Sequence, residues 1–102
     1  MKRDNDALSE PHPGEILLEE FIKPAGITPY RVAADTGISH STMNQLVNGK
    51  RSITTETALR LATYFGTSPG LWLNLQKNHD LRLAERDRIA VIRKEVKPLK
   101  SA

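Results

Sequence analysis

A chain of 102 residues is one domain long, with room for a single core and none for a separate ligand-binding or catalytic domain. At 38% hydrophobic and 26% charged it has an ordinary globular composition; no apolar run is long enough to span a membrane, and without cysteine there are no disulfides or thiolate-bound metals. The net charge of +3 is unevenly spread: residues 1–24 carry −3 and the remainder +6, a basic body suited to a polyanion behind an acidic front.

The basic start, Met1-Lys2-Arg3-Asp4, is followed by no apolar stretch, so no secretory signal is expected and the expected location is cytoplasmic. Residues 1–10 are polar and aperiodic and are expected to form a flexible arm. Pro13 suits the first position of a helix, with Glu15 favourably placed in its first turn. Leu17, Leu18, Phe21 and Ile22 then recur at helical spacing until Pro24 and Gly26 end the segment.

Thr28 caps and Pro29 opens a second helix that runs to Thr36, where Gly37 stops it. Ile27 and Val32 are placed to staple its start. Ser39 caps a third helix, with Ile38 and Met43 as the staple pair and Asn48-Gly49 as the end. Thr54 caps a fourth, with Ile53 and Ala58 as its staple; Ala58, Leu61, Ala62 and Phe65 form its buried stripe and Gly66 closes it. Ser68-Pro69 opens a fifth segment with Leu71, Trp72 and Leu75 on one face. Ile89, Ile92 and Val96 keep helical spacing up to Pro98, with room for a break near Asp80 or Asp87. No segment alternates as a strand would. The expectation is an all-α fold of five helices: a helix-turn-helix domain with a C-terminal helical extension over residues 11–97, then a flexible tail, 98–102.

The stretch from Pro29 to Asn48 meets the physical needs of a helix-turn-helix. Small Ala33 lets the next helix approach, and Gly37, four residues later, can take the positive φ that a tight turn needs. Val32, Ile38, Met43 and Leu46 fall where inward side chains hold the two helices together. Ser39, His40, Ser41, Asn44, Gln45 and Asn48 are left outward. Asn and Gln can bond bidentately to adenine, and Ser can bond bases or phosphate. The helix N-termini, at Thr28 with Arg31 and at Ser39, offer backbone N–H groups to phosphate. Lys50 and Arg51 follow directly and can neutralise backbone charge. Double-stranded DNA is the expected ligand.

The segment Gly-Ile-Ser-His-Ser-Thr-Met-Asn-Gln-Leu-Val-Asn-Gly-Lys-Arg, residues 37–51, resembles the recognition segment of phage-repressor-like regulators of the XRE type. More widely the chain resembles the HigA antitoxins of bacterial toxin–antitoxin modules. His-Pro-Gly-Glu-Ile-Leu at 12–17, Asn-Gly-Lys-Arg-Ser-Ile-Thr at 48–54, Thr-Ala-Leu-Arg-Leu-Ala at 57–62 and Tyr-Phe-Gly-Thr-Ser-Pro at 64–69 carry it. Trp-Leu-Asn-Leu-Gln at 72–76 and Asp-Leu-Arg-Leu-Ala-Glu at 80–85 continue it. The resemblance covers about residues 11–86; His79 departs from the aromatic residue expected there. It implies a homodimer on a palindromic operator upstream of its own operon, bound also to a HigB-type toxin, a small RelE-like mRNA endonuclease. It further implies that Ser39, His40, Ser41, Asn44 and Gln45 face base edges, with Asn48, Lys50 and Arg51 near phosphate. A free-standing XRE-type repressor without a toxin would present the same DNA face.

Other chemistry is poorly served. His12, His40 and His79 lack a second ligand at metal spacing, no cofactor motif is present, and no nucleophile–base pair suggests an enzyme. Glu19 and Glu20 are adjacent on a helix and point in different directions, which suits a protein contact better than acid–base work. The acidic front, Asp4, Asp6, Glu15, Glu19 and Glu20, is the candidate toxin-facing surface. Leu71, Leu75 and Ile92 are the candidate dimer seam.

Overall fold

A computed structural model describes residues 11–100. The arm expected over residues 1–10, with Asp4 and Asp6, lies outside the described residues. Five helical elements follow in the expected order. α1 opens as one α-helical turn, Pro13–Ile16, and continues as a π-helical stretch, Leu17–Ile22; α2 is Pro29–Thr36, α3 His40–Val47, α4 Thr55–Phe65 and α5 Pro69–Glu95. No strand occurs among the described residues.

Side-chain caps set the helix starts. Thr28, Ser39, Thr54 and Ser68 each accept a hydrogen bond from the backbone N–H three residues on. α1 starts on a capping box: His12 Nδ1 accepts from the Gly14 N–H at 2.9 Å, and Glu15 Oε1 accepts from the His12 N–H at 3.3 Å. Gly37 and Gly66 end α2 and α4 in the left-handed region, at φ 80° and 74°.

Two features depart from the sequence expectation. α1 widens into a π-helix, with the Lys23 N–H donating to Leu18 O at 3.0 Å. Leu17 and Ile22, five residues apart, would sit about 140° apart on an α-helix. The wider turn brings both onto the core face, and both are fully buried. α5 runs unbroken for 27 residues, without a break at Asp80 or Asp87. Neither Pro nor Gly occurs between Leu71 and Lys97. An Asp inside a helix costs only about 0.5 kcal/mol, too little to interrupt one. The helix stops at Glu95; Val96 is extended, and Pro98 follows two residues on.

One core joins the five helices. Leu17, Ile22, Val32, Met43, Leu46, Ala58, Leu61 and Trp72 are buried at its centre. Phe21 packs against Trp72 with ring centroids 4.7 Å apart and against Phe65 at 5.4 Å. The Trp72 Nε1–H donates to Thr67 Oγ1 at 2.9 Å. Buried Gln76 accepts from the Ile53 N–H at 2.8 Å, pinning the α3–α4 connection to α5. Gly14 lets α1 meet α3: a Cβ there would lie 1.6 Å from the Leu46 carbonyl oxygen. Beyond Asp80, α5 has only two half-buried positions, Leu83 and Ile89, and exposes Leu81, Val91 and Ile92. Among the described residues no helix is long and apolar enough to cross a membrane.

Candidate nucleic-acid interface

The turn between α2 and α3 leaves few backbone groups unpaired. Thr36 Oγ1 donates to Val32 O at 2.7 Å and accepts from the Ile38 N–H at 3.2 Å; the Gly37 N–H donates to Ala33 O at 3.0 Å. Arg60, on α4, donates from Nη1 to Thr36 O at 2.8 Å. Val32, Ala33, Ile38, Met43 and Leu46 are buried beneath the turn, as their spacing predicts. The angle between the two helices is thus held by both packing and hydrogen bonds.

α3 then presents its polar side. Ser39, His40, Ser41, Asn44 and Asn48 are exposed, and Gln45 is half-buried. The helix ends in a Schellman turn: the Gly49 N–H donates to Leu46 O at 3.0 Å and the Lys50 N–H to Gln45 O at 2.8 Å, with Gly49 at φ 73°. The reversal sets exposed Lys50 and Arg51 beside the helix they follow. Arg51 folds back, its Nε donating to Gln45 Oε1 at 2.8 Å. Asn48 Nδ2 donates to Asn44 O at 2.8 Å and to Asn44 Oδ1 at 3.2 Å. A depression of about 360 Å³ between the starts of α3 and α4 is lined in part by Ser39, Thr42, Arg51, Thr54, Arg60 and the Glu56 carboxylate that pairs with Arg60. Of its cationic groups, Arg60 is engaged by Glu56 and the Thr36 carbonyl, which leaves Arg51 as the better-placed partner for a phosphate.

Thr28 and Arg31, the other two residues read from the sequence as DNA contacts, are also exposed and also carry intramolecular bonds. Thr28 Oγ1 accepts from the Arg31 N–H at 3.1 Å, as Ser39 Oγ accepts from the Thr42 N–H. Arg31 is engaged between α2 and α4: its Nε and the Tyr64 hydroxyl both donate to Asp35 Oδ2 at 2.7 Å. The Tyr64 hydroxyl, and after it Arg31, hold the Asp35 carboxyl below the usual range; the same hydrogen bonds raise Arg31 and Tyr64. Sequence reasoning missed Tyr30. It is 71% exposed, and its ring stacks on His40 with centroids 4.1 Å apart and planes 16° apart. A large aromatic in the second position of a short polar helix was the available signal.

The acidic candidates on α1 are all exposed, though not equivalent. Glu15 belongs to the capping box and Glu19 pairs with Lys23 at 2.9 Å. Glu20 makes no ion pair among the described residues. The proposed seam residues do not form one patch. Leu71 and Leu75 pack partly on this chain's own core, whereas Ile92 is exposed about 30 Å farther along the helix axis. His12 and His79 pack edge to face at 5.0 Å. Burial, and then His79, hold His12 below its ordinary value against the opposing pull of Asp80 and Glu15. No group of three metal-ligating side chains occurs among the described residues.

The sequence model of the helix-turn-helix family matches residues 18–72. Virulence-associated protein I of Dichelobacter nodosus is 45% identical over 80 residues, 78% of this chain and 74% of the relative. Antitoxin HigA-1 of Vibrio cholerae is 40% identical over 86 residues, 84% of this chain and 80% of the relative. The Pseudomonas aeruginosa antitoxin HigA, solved with the higBA promoter, superposes with a TM-score of 0.85 at 37% identity; the match covers 89% of this chain and 99% of that one.

Proposed function

The chain belongs to the XRE-like helix-turn-helix family, with HigA antitoxins among its relatives, and from that membership we propose that it is a sequence-specific DNA-binding antitoxin that represses its own operon and neutralises a HigB-type mRNA endonuclease. The observation that carries the reading is the outward face of α3. Six polar side chains stand on a helix anchored by Met43 and Leu46, and two cations follow at its end. A rigid helix with amide and hydroxyl groups outward suits the major groove, and flanking cations suit phosphate. The relative solved on a promoter has this fold over nearly its whole length.

A single α3 spans only a few base pairs, so two copies would read a palindromic operator, with half-sites about one helical turn apart or a multiple of it. The exposed apolar residues of distal α5, Leu81, Val91 and Ile92, with Val96 just beyond its end, favour a homodimer held through that helix. The exposed carboxylates of α1 favour a basic partner such as an RNA-binding toxin.

The test has two arms. Footprinting on DNA upstream of the chain's own gene should reveal an inverted repeat protected by a dimer. Co-expression with the adjacent gene product should yield a stable complex and relieve its toxicity. Operator binding with no toxin partner would make the chain a free-standing XRE-type repressor. Failure to protect any specific site would overturn the DNA-binding reading.

A further inference from the structure

Between the start of α2 and the first two turns of α3 lies an open depression of about 220 Å³, lined by Pro29, Tyr30, His40, Met43 and Asn44. Its walls are apolar or aromatic, except at Asn44 and the ring nitrogens of His40. The exposed Tyr30 ring, stacked on His40, forms one side of the mouth. An aromatic ring so exposed gives up the burial that usually accounts for such a residue. The depression is continuous with the polar face of α3, since His40 and Asn44 belong to both.

Asn44 adds a directional element. Its Oδ1 and its backbone carbonyl both accept from Asn48 Nδ2, at 3.2 Å and 2.8 Å. Its own Nδ2 donates to no group among the described residues, and Asn44 lines the depression. An apolar recess beside an amide donor matches one feature of the major groove. Thymine carries the O4 acceptor and the C5 methyl group on adjacent ring carbons. Cytosine places an N4 donor where thymine has O4, and uracil lacks the methyl group.

We propose that this depression is a thymine-reading subsite: in each half-site a thymine places its C5 methyl group against the Tyr30–His40 stack and accepts from Asn44 Nδ2 through O4. The proposal rests on the DNA-binding reading above and deepens it. Tyr30, at the edge of the groove, becomes a specificity-determining residue although it does not belong to α3.

The experiment replaces the thymines of the protected duplex one at a time with deoxyuridine and measures affinity by competition. One position per half-site should weaken about fourfold, the free energy of one buried methyl group. Cytosine at that position should weaken binding about tenfold or more, and 5-methylcytosine should recover the methyl part alone. Tyr30→Ala should remove the thymine–uracil difference at that position only, whereas Tyr30→Phe should keep it. A stack that merely braces α2 against α3 would instead lower affinity for every duplex alike and leave the ratio unchanged, which overturns the proposal. So does an operator on which no deoxyuridine substitution matters. Loss of specific binding to any duplex by the unmodified protein overturns the DNA-binding reading itself, and the subsite with it.

Discussion

Arg51 Nε donates to Gln45 Oε1 at 2.8 Å, joining the residue proposed to read a base to one proposed to hold a phosphate. Gln45 thereby loses rotamer freedom, while its Nε2 donor stays outside that bond. The two residues should therefore not act independently on DNA. Gln45→Ala should cost about 1–3 kcal/mol on the operator and relax preference at one base pair. Arg51→Ala should lower affinity generally and also blur preference at that same base pair. A double-mutant cycle by gel-shift competition should give a coupling of at least about 0.5 kcal/mol. Strict additivity would reduce the contact to a resting-state arrangement that DNA breaks.

Lys50 makes the contrasting case. Its backbone N–H closes the end of α3, but its side chain is exposed. Lys50→Ala should leave the helix intact, weaken every duplex sequence alike, and reduce the slope of log K against log salt by about one. A change in base preference in this variant would move Lys50 into the reading set.

Helix boundaries were legible because their chemistry is local. Thr28-Pro29, Ser39, Thr54 and Ser68-Pro69 each announce a start, and Gly37 and Gly66 each announce a stop. The buried set Val32, Ile38, Met43 and Leu46 was legible from period alone. Relations between distant residues were not. The Gln76–Ile53 bond spans 23 positions and the Tyr64–Asp35 bond 29, and neither leaves a periodic trace. The π-helix in α1 was hidden because Leu17, Leu18, Phe21 and Ile22 fit an α-helical stripe as well. The Tyr30 stack leaves no local signal of its own, since its partner His40 lies ten positions away on another helix.

Gly14 should tolerate no side chain. A Cβ there would meet the Leu46 carbonyl, which is backbone and cannot rotate away. Gly14→Ala should force α1 off α3 and cost about 1–3 kcal/mol or more in urea melts. Gly70 is the control: it sits in the first turn of α5 with only ordinary contacts at 3.9 Å and 4.0 Å. Gly70→Ala should be neutral or stabilise by about 0.5 kcal/mol. Equal effects at the two sites would mean that the α1–α3 approach is looser than this packing.

His12 should make stability fall in mild acid. Its Nδ1 accepts from the Gly14 N–H, so the cap needs that nitrogen unprotonated. Its folded value lies below the ordinary 6.5, so between those two values the unfolded chain binds more protons than the folded one. Stability should thus rise with pH through this window, and be lost as pH falls below about 6.5 toward the folded value. His79, Asp80 and Glu15 face the same ring. His12→Asn keeps an acceptor for the Gly14 N–H and removes one titration. In urea melts at pH 7.5 and 5.5 it should show a smaller loss than the parent chain. An unchanged loss would assign the acid sensitivity to other groups.

Reversing the charge on α1 tests whether its carboxylates face the toxin. Glu19 and Glu20 are both exposed, so Glu19→Lys with Glu20→Lys changes the surface field more than the core. The expected side effect is small: the Lys23–Glu19 pair is an exposed i,i+4 contact worth about 0.3–0.5 kcal/mol. Operator affinity should be retained, because these residues lie outside the α3 face and its following cations. Toxin affinity should fall, mostly through slower association, and the difference from the parent should shrink as salt is raised, as expected when long-range attraction steers encounter. Surface plasmon resonance at low and physiological salt separates the two rates. A double variant that associates with the toxin as fast as the parent at low salt would remove α1 from the interface, leaving distal α5, with its exposed Leu81 and Val91, as the next surface to alter.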